Sequence, residues 1–144
     1  MTRIRTLRDR IGRRGSSLLF FGFLDLIYGY SLVYPDHYSR MSPAFAFYRD
    51  VMPMWGWATL WFGVGLTCLF HAFRRTDRWG FTAAIGLKVG WGLVSLGGWV
   101  FAGVERGWVA AAVWLAFAGW VWGVAGWSEP NSGEDLAWTG RRSS

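Results

Sequence analysis

Two residues of this chain carry ionisable groups into otherwise apolar stretches: Asp25, within "SSLLFFGFLDLIYGYSLVYP" (16–35), and Lys88, within "AAIGLKVGWGLV". A charge at the centre of a bilayer costs around 2.5–3.5 kcal/mol on insertion scales, so such residues pair, line a wet cavity or relay protons. Asp25 lies eleven residues beyond Arg14, and Lys88 ten beyond Arg78. At ~1.5 Å per residue the two stand about 16 and 15 Å along their helices. Gly22 and Gly29 flank Asp25 on its face, and Ala84 and Gly92 flank Lys88, leaving room for a neighbouring helix. Matched depth and opposite charge predict an intramembrane ion pair. Tyr28 and Ser95 are the candidates for the further hydrogen bonds that a buried pair needs. The pair reads first as a clamp on helix register and second as a proton relay.

The remaining chemistry-bearing residues do not converge. His37 lies beyond the outer end of the first apolar run and His71 at the inner end of the second, so they cannot share a metal or haem. Cys68 is the single cysteine, which excludes an internal disulfide and a thiol-oxidising pair. No phosphate-cradling loop, nucleophile elbow or carboxylate pair is visible. The expectation is a non-enzymatic chain with no cofactor and no metal.

The elements that must position Asp25 and Lys88 are apolar blocks. The chain has 144 residues, 53% of them hydrophobic, including 12 Trp and 20 Gly. The apolar residues fall at 17–34, 54–73, 79–102 and 108–127, each near the roughly 20 residues that cross a bilayer. The predicted fold is all-α: an integral membrane four-helix bundle, up-down-up-down. A basic arm (1–15) precedes the transmembrane domain (16–128), which has an outside loop (35–53), and a polar tail (129–144) follows. In the outside loop Ser42 is placed to N-cap a short helix with Pro43 in its first turn. Ile4, Leu7 and Ile11 among the arginines predict a short interfacial helix, weakened by Gly12. At an offset of 63 residues Asp25 aligns with Lys88, Tyr28 with Trp91 and Gly29 with Gly92. The two outside loops differ too much in length for one offset to carry through, and no repeat is assigned.

The net charge of +6 is distributed by side. Arg3, Arg5, Arg8, Arg10, Arg13 and Arg14 precede the first run, Arg74, Arg75 and Arg78 lie between the second and third, and Arg141 and Arg142 end the chain. Only Arg40, Arg49 and Arg106 fall on the other side of alternating spans. This positive-inside asymmetry puts both the N-terminus and the C-terminus in the cytoplasm. The same arginines attract anionic inner-leaflet lipids, and no nucleic-acid partner is expected. Ala44-Phe45-Ala46 lies about twelve residues past the first apolar run, too far for a cleavage site, so the first run reads as a retained anchor.

Small residues recur at helical spacing. Ala112, Ala116, Gly119, Gly123 and Gly126 follow steps of four, three, four and three, and Gly86 with Gly90 makes a G-x-x-x-G. These are the expected helix-packing positions, within the bundle or between copies in a homo-oligomer. Thr59, Gly63, Thr67 and His71 form a small-polar stripe expected to face protein.

The stretches "RTDRWGFTAAIGLKVGWGL", "ERGWVAAAVWLAFAG" and "GWSEP" resemble those of short four-span membrane proteins of actinobacteriophages. The resemblance implies a multi-pass protein of the bacterial cytoplasmic membrane, with a holin-like, lysis-accessory or envelope-contacting role alongside other envelope or lysis proteins. It supplies no catalytic residues. The alternative is a small proton-coupled exporter using Asp25, similar to the small multidrug resistance transporters in that acid and in topology, with Lys88 competing against a cationic substrate. Reporter fusions after Arg75 and at Ser144 should read cytoplasmic and a fusion within 35–53 external; an external C-terminus would refute the four-span arrangement.

Overall fold

The computed structural model describes residues 2–74 and 77–126, with side chains from Arg14 onward. The tail 129–144 and the side chains of Ile4, Leu7 and Ile11 lie outside them. Among the described residues there are helices and no strand: α1 (Thr2–Val33), α2 (His37–Met41), α3 (Pro43–Val51), α4 (Met54–Ala72), α5 (Arg78–Ala102) and α6 (Gly107–Ala125). The arm and the first apolar run are one helix, unbroken at Gly12. Extending an existing helix needs no new nucleus, and one interior Gly costs only about 1 kcal/mol. Two short helices occupy the connection between α1 and α4. Asp36 caps α2 by accepting from the Ser39 amide, and Ser42 caps α3 by accepting from the Phe45 amide, each at 3.1 Å. Ser39, through its hydroxyl and then its amide, holds the exposed Asp36 carboxyl below the usual carboxylate range.

The segments Arg14–Val33, Arg78–Ala102 and Gly107–Ala125 are long and apolar enough to cross a membrane. Helix α4 falls outside that set although it has 19 residues; its Trp55, Trp57, Trp61, Gly56, Gly63, Gly65 and terminal His71 dilute its aliphatic content. The distribution of side chains is that of a membrane protein. Phe23, Ile27, Leu66, Phe101 and Trp122 point outward, while Asp25, Lys88 and Ser95 are buried. In water so much exposed apolar surface would drive association.

Glycines set which helices approach closely. A Cβ on Gly22 would stand 2.8 Å from Leu69 and 2.9 Å from the Gly65 carbonyl, and one on Gly29 would stand 3.1 Å from Trp61 Cβ. These contacts run in opposite order along α1 and α4. Helix α5 meets α6 likewise, Gly92 against Leu115 and Gly107 against the Ser95 carbonyl. Helix α4 joins the two hairpins by packing on α5, and α1 barely touches α6. The turn between α5 and α6 is closed by Gly103 and Arg106, both with left-handed backbone, φ 62° and 61°.

The predicted packing positions lie elsewhere than in the bundle. A Cβ on Gly86, Gly90, Gly119 or Gly123 would meet nothing within 4 Å, and one on Gly126 would meet only its own helix. The Thr59–Gly63–Thr67 side of α4 is also largely outward. Its hydroxyls are satisfied locally, Thr59 donating to the Trp55 carbonyl and Thr67 to the Gly63 carbonyl, each at 2.8 Å. Neither needs protein opposite it. The face of α4 that packs is Trp57, Ala58, Trp61, Gly65, Cys68 and Ala72.

Two classes of glycine should therefore separate in thermal unfolding of the detergent-solubilised protein. Gly22→Ala and Gly107→Ala should each lose about 1–3 kcal/mol through overpacking, whereas Gly63→Ala should be neutral or gain up to about 1 kcal/mol from helix propensity. Equal losses at all three positions would refute the packing described.

Candidate functional site

Asp25 and Lys88 meet at the centre of the bundle. Lys88 Nζ donates to Asp25 Oδ1 at 2.7 Å, and both side chains are 0% exposed. The helices that carry them hardly touch each other. The close neighbour of Asp25's glycine face is α4, and the four-carbon stem of Lys88 crosses the bundle from α5 to reach the carboxylate.

Aromatic rings enclose the pair. Lys88 Nζ lies 5.8 Å from the Phe21 ring and 5.7 Å from the Trp61 ring, within the range of a cation–π attraction that is strongest when desolvated. On the side toward α2 and α3 Tyr28 packs on Trp61, Trp114 and Trp91, with ring centroids 4.3, 5.0 and 5.7 Å apart. On the opposite side, toward Arg14, lie Leu18, Phe21, Cys68, Phe81, Ala84, Val121 and Val124. The Cys68 thiol donates to the Gly80 carbonyl.

The two predicted hydrogen-bond partners are placed differently from the expectation. The Ser95 hydroxyl donates to the Trp91 carbonyl at 2.8 Å, so its contact with the Tyr48 hydroxyl, also 2.8 Å, has Tyr48 as donor. Serine in a helix turns back to its own i−4 carbonyl, and Ser95, two turns beyond Lys88, is committed there. Tyr28 is one turn beyond Asp25 but leaves Oδ2 unbonded: that oxygen and Trp61 Nε1 are buried without hydrogen-bond partners. The pair is thus held by one charge-assisted bond and by exclusion of water.

Sequence reasoning missed three parts of this site. Trp61, fully buried, forms a wall; its signal was the spacing of Trp57, Trp61, Gly65 and Cys68 along one face. Tyr48 ties α3 onto the bundle through Ser95 and through its carbonyl, which accepts from Trp57 Nε1 at 2.9 Å. A second ion pair joins α1 to the start of α5, Arg14 Nε to Asp77 Oδ2 at 2.9 Å and Nη2 to Oδ1 at 3.1 Å, with the guanidinium 5.4 Å from the Phe81 ring. Like Asp25 and Lys88, these residues are 63 apart.

Two cavities approach the pair and neither includes it. A cavity of about 490 Å³ beside α2 and α3 has Ser31, Asp36, Ser39 and Ser42 in its lining and reaches Tyr28, Tyr48 and Trp91. A groove of about 610 Å³ between α1 and α6 reaches Phe21. Among the described residues no group of His, Cys, Asp and Glu could hold a metal ion.

Removing one partner of a buried pair strands the other, typically at 3–5 kcal/mol. Asp25→Asn and Lys88→Met should each lower stability by about that much, and the double variant should lose well under the sum; strict additivity in thermal unfolding would mean that the two side chains do not interact. Comparison with protein-family models, with curated proteins and with solved structures finds no match to this chain.

Proposed function

We propose that the protein is a small, non-enzymatic, four-span protein of a bacterial cytoplasmic membrane, up-down-up-down with both termini cytoplasmic, acting by self-association or by contact with other envelope proteins. Helix α4 serves as the fourth span. Its 19 residues reach about 28 Å, its contacts reverse those of α1, and Trp55, Leu60, Leu66 and Phe70 face outward. The arginine distribution supports the orientation.

The observation that carries the self-association reading is the unused small-residue face of α6. Ala112, Ala116, Gly119, Gly123 and Gly126 are all exposed, on the side of the helix away from Ala111, Ala118 and Val121, which are buried. Two G-x-x-x-G spacings, 86–90 and 119–123, stay open within the chain. In lipid such faces let backbones approach and associate by packing. This fits the holin-like or lysis-accessory role that the resemblance to actinobacteriophage proteins implies, and an adjacent endolysin gene would support it further. One observation favours the exporter alternative: Asp25 Oδ2 is unbonded and able to take a proton. Against it, Lys88 neutralises the acid and aromatic layers close both approaches.

Inducible expression in a bacterium, with a membrane-potential dye and chemical crosslinking, tests the proposal. Crosslinked multimers with abrupt depolarisation, both lost in Gly119→Leu and Gly123→Leu, are the expected result. A monomer that leaves the potential undisturbed would reject permeabilisation by self-association. Transport driven by a pH gradient and abolished by Asp25→Asn would favour the exporter.

A further inference from the structure

The four main helices do not close into a ring. Contacts run α1 to α4, α4 to α5 and α5 to α6, while α6 and α1 meet mainly through Phe21 on Phe117 and Tyr28 on Trp114. Inward of these contacts the gap opens as the groove of about 610 Å³. Phe20, Phe21, Ala116, Phe117 and Trp120 make its apolar walls, and Ser16 and Ser17 stand toward the basic arm. Arg14, one turn from Ser17, is engaged with Asp77. Ahead of it the sequence carries Arg13, Arg10, Arg8, Arg5 and Arg3 within a continuous helix. An apolar slot that opens to the side of the bundle, ends in hydroxyls and is followed by a run of arginines combines the requirements of one amphiphile: an acyl chain, a polar junction and an anionic headgroup.

We propose that the α1–α6 groove binds one anionic phospholipid of the inner leaflet, with an acyl chain between Phe20 and Trp120 and its phosphate at the Ser16–Ser17 level beside the arginine arm. The charge complementarity is with the arm; the selectivity is for headgroup charge. The bound chain would cover Phe21, the ring that separates the groove from Lys88, and would complete the side of the bundle that α6 and α1 leave open. This site shares Ala116 with the exposed small-residue face of α6 and otherwise lies to one side of it, at Phe117 and Trp120, so lipid and a second copy meet along one edge of the helix. The inference rests on the membrane reading above, and the two fail separately: recovery of the chain in the soluble fraction would defeat the membrane reading, whereas absence of lipid preference in membrane-embedded protein defeats only this proposal.

The test uses the full chain reconstituted in bilayers of equal parts phosphatidylglycerol and phosphatidylcholine, released into mild detergent and analysed by native mass spectrometry. The expected result is one retained phosphatidylglycerol, in clear excess over phosphatidylcholine. Ala116 is exposed within the groove, so Ala116→Phe fills the slot without crowding the core and should abolish the retained lipid with little change in melting temperature. Arg10→Gln with Arg13→Gln leaves the groove intact and should lower the preference by about fivefold per arginine, the effect of one cation near an anionic surface. Equal retention of both lipids, or adducts unchanged in Ala116→Phe and in the arginine variant, would overturn the proposal. So would a disulfide-linked dimer formed in the bilayer by Phe20→Cys, on the α1 wall of the groove and away from the small-residue face of α6, since a second copy would then fill the groove.

Discussion

A single charge-assisted hydrogen bond at the centre of the bundle, Lys88 to Asp25, constrains everything around it. In a low-dielectric interior neither charge is tolerable alone, and the cost of separating them exceeds most single packing terms. The helices must therefore hold α1 and α5 at one relative height although these two share almost no direct packing. Helix α4 supplies the height by locking on α1 through Gly22 and Gly65 and on α5 through Trp57 and Trp61 against Trp91. The Arg14–Asp77 pair repeats the same register at the inner end. The result is a two-point brace across the bundle.

The aromatic shell follows from the same constraint. A buried pair with only one hydrogen bond between its members must be kept from water by bulk, and Phe21, Tyr28, Trp61 and Trp91 are the bulk used. Trp91 is the hub. It is in ring contact with Tyr28, Tyr48, Trp57 and Trp61, and its carbonyl accepts from Ser95, which in turn holds Tyr48. The short helix α3 is thereby tied to the aromatic layer next to the charges.

Much of this was legible in the residues and some was not. Apolar blocks located the long helices, and counting from Arg14 and Arg78 placed Asp25 and Lys88 at one depth. That arithmetic works because a straight helix converts residue number into height with little error. Rotation about the axis is harder to read, because it is decided by neighbours. With glycines on several faces of α5 and α6, spacing alone does not distinguish Gly92 and Gly107, which pack, from Gly86, Gly90, Gly119 and Gly123, which do not. The same limit hid Trp61, since α4 carries tryptophans both outward at Trp55 and inward at Trp57 and Trp61. The offset of 63 was visible but was set aside because no repeat could carry it through the chain; in the structure it is the register of two ion pairs between α1 and α5.

The dilute apolarity of α4 has a consequence for biogenesis. A segment rich in glycine and indole partitions into lipid less readily than its neighbours, yet it supplies the contacts that hold α1 and α5 in register. By the time α4 is synthesised, α1 has left the ribosome with the Gly22 and Gly29 notches that α4 occupies. A notched first helix can act as a receptor for the weak second one, so that the two pair as a hairpin before α5 arrives. On this order of events Lys88 reaches Asp25 only after α1 and α4 have paired, and α6 packs on α5 last.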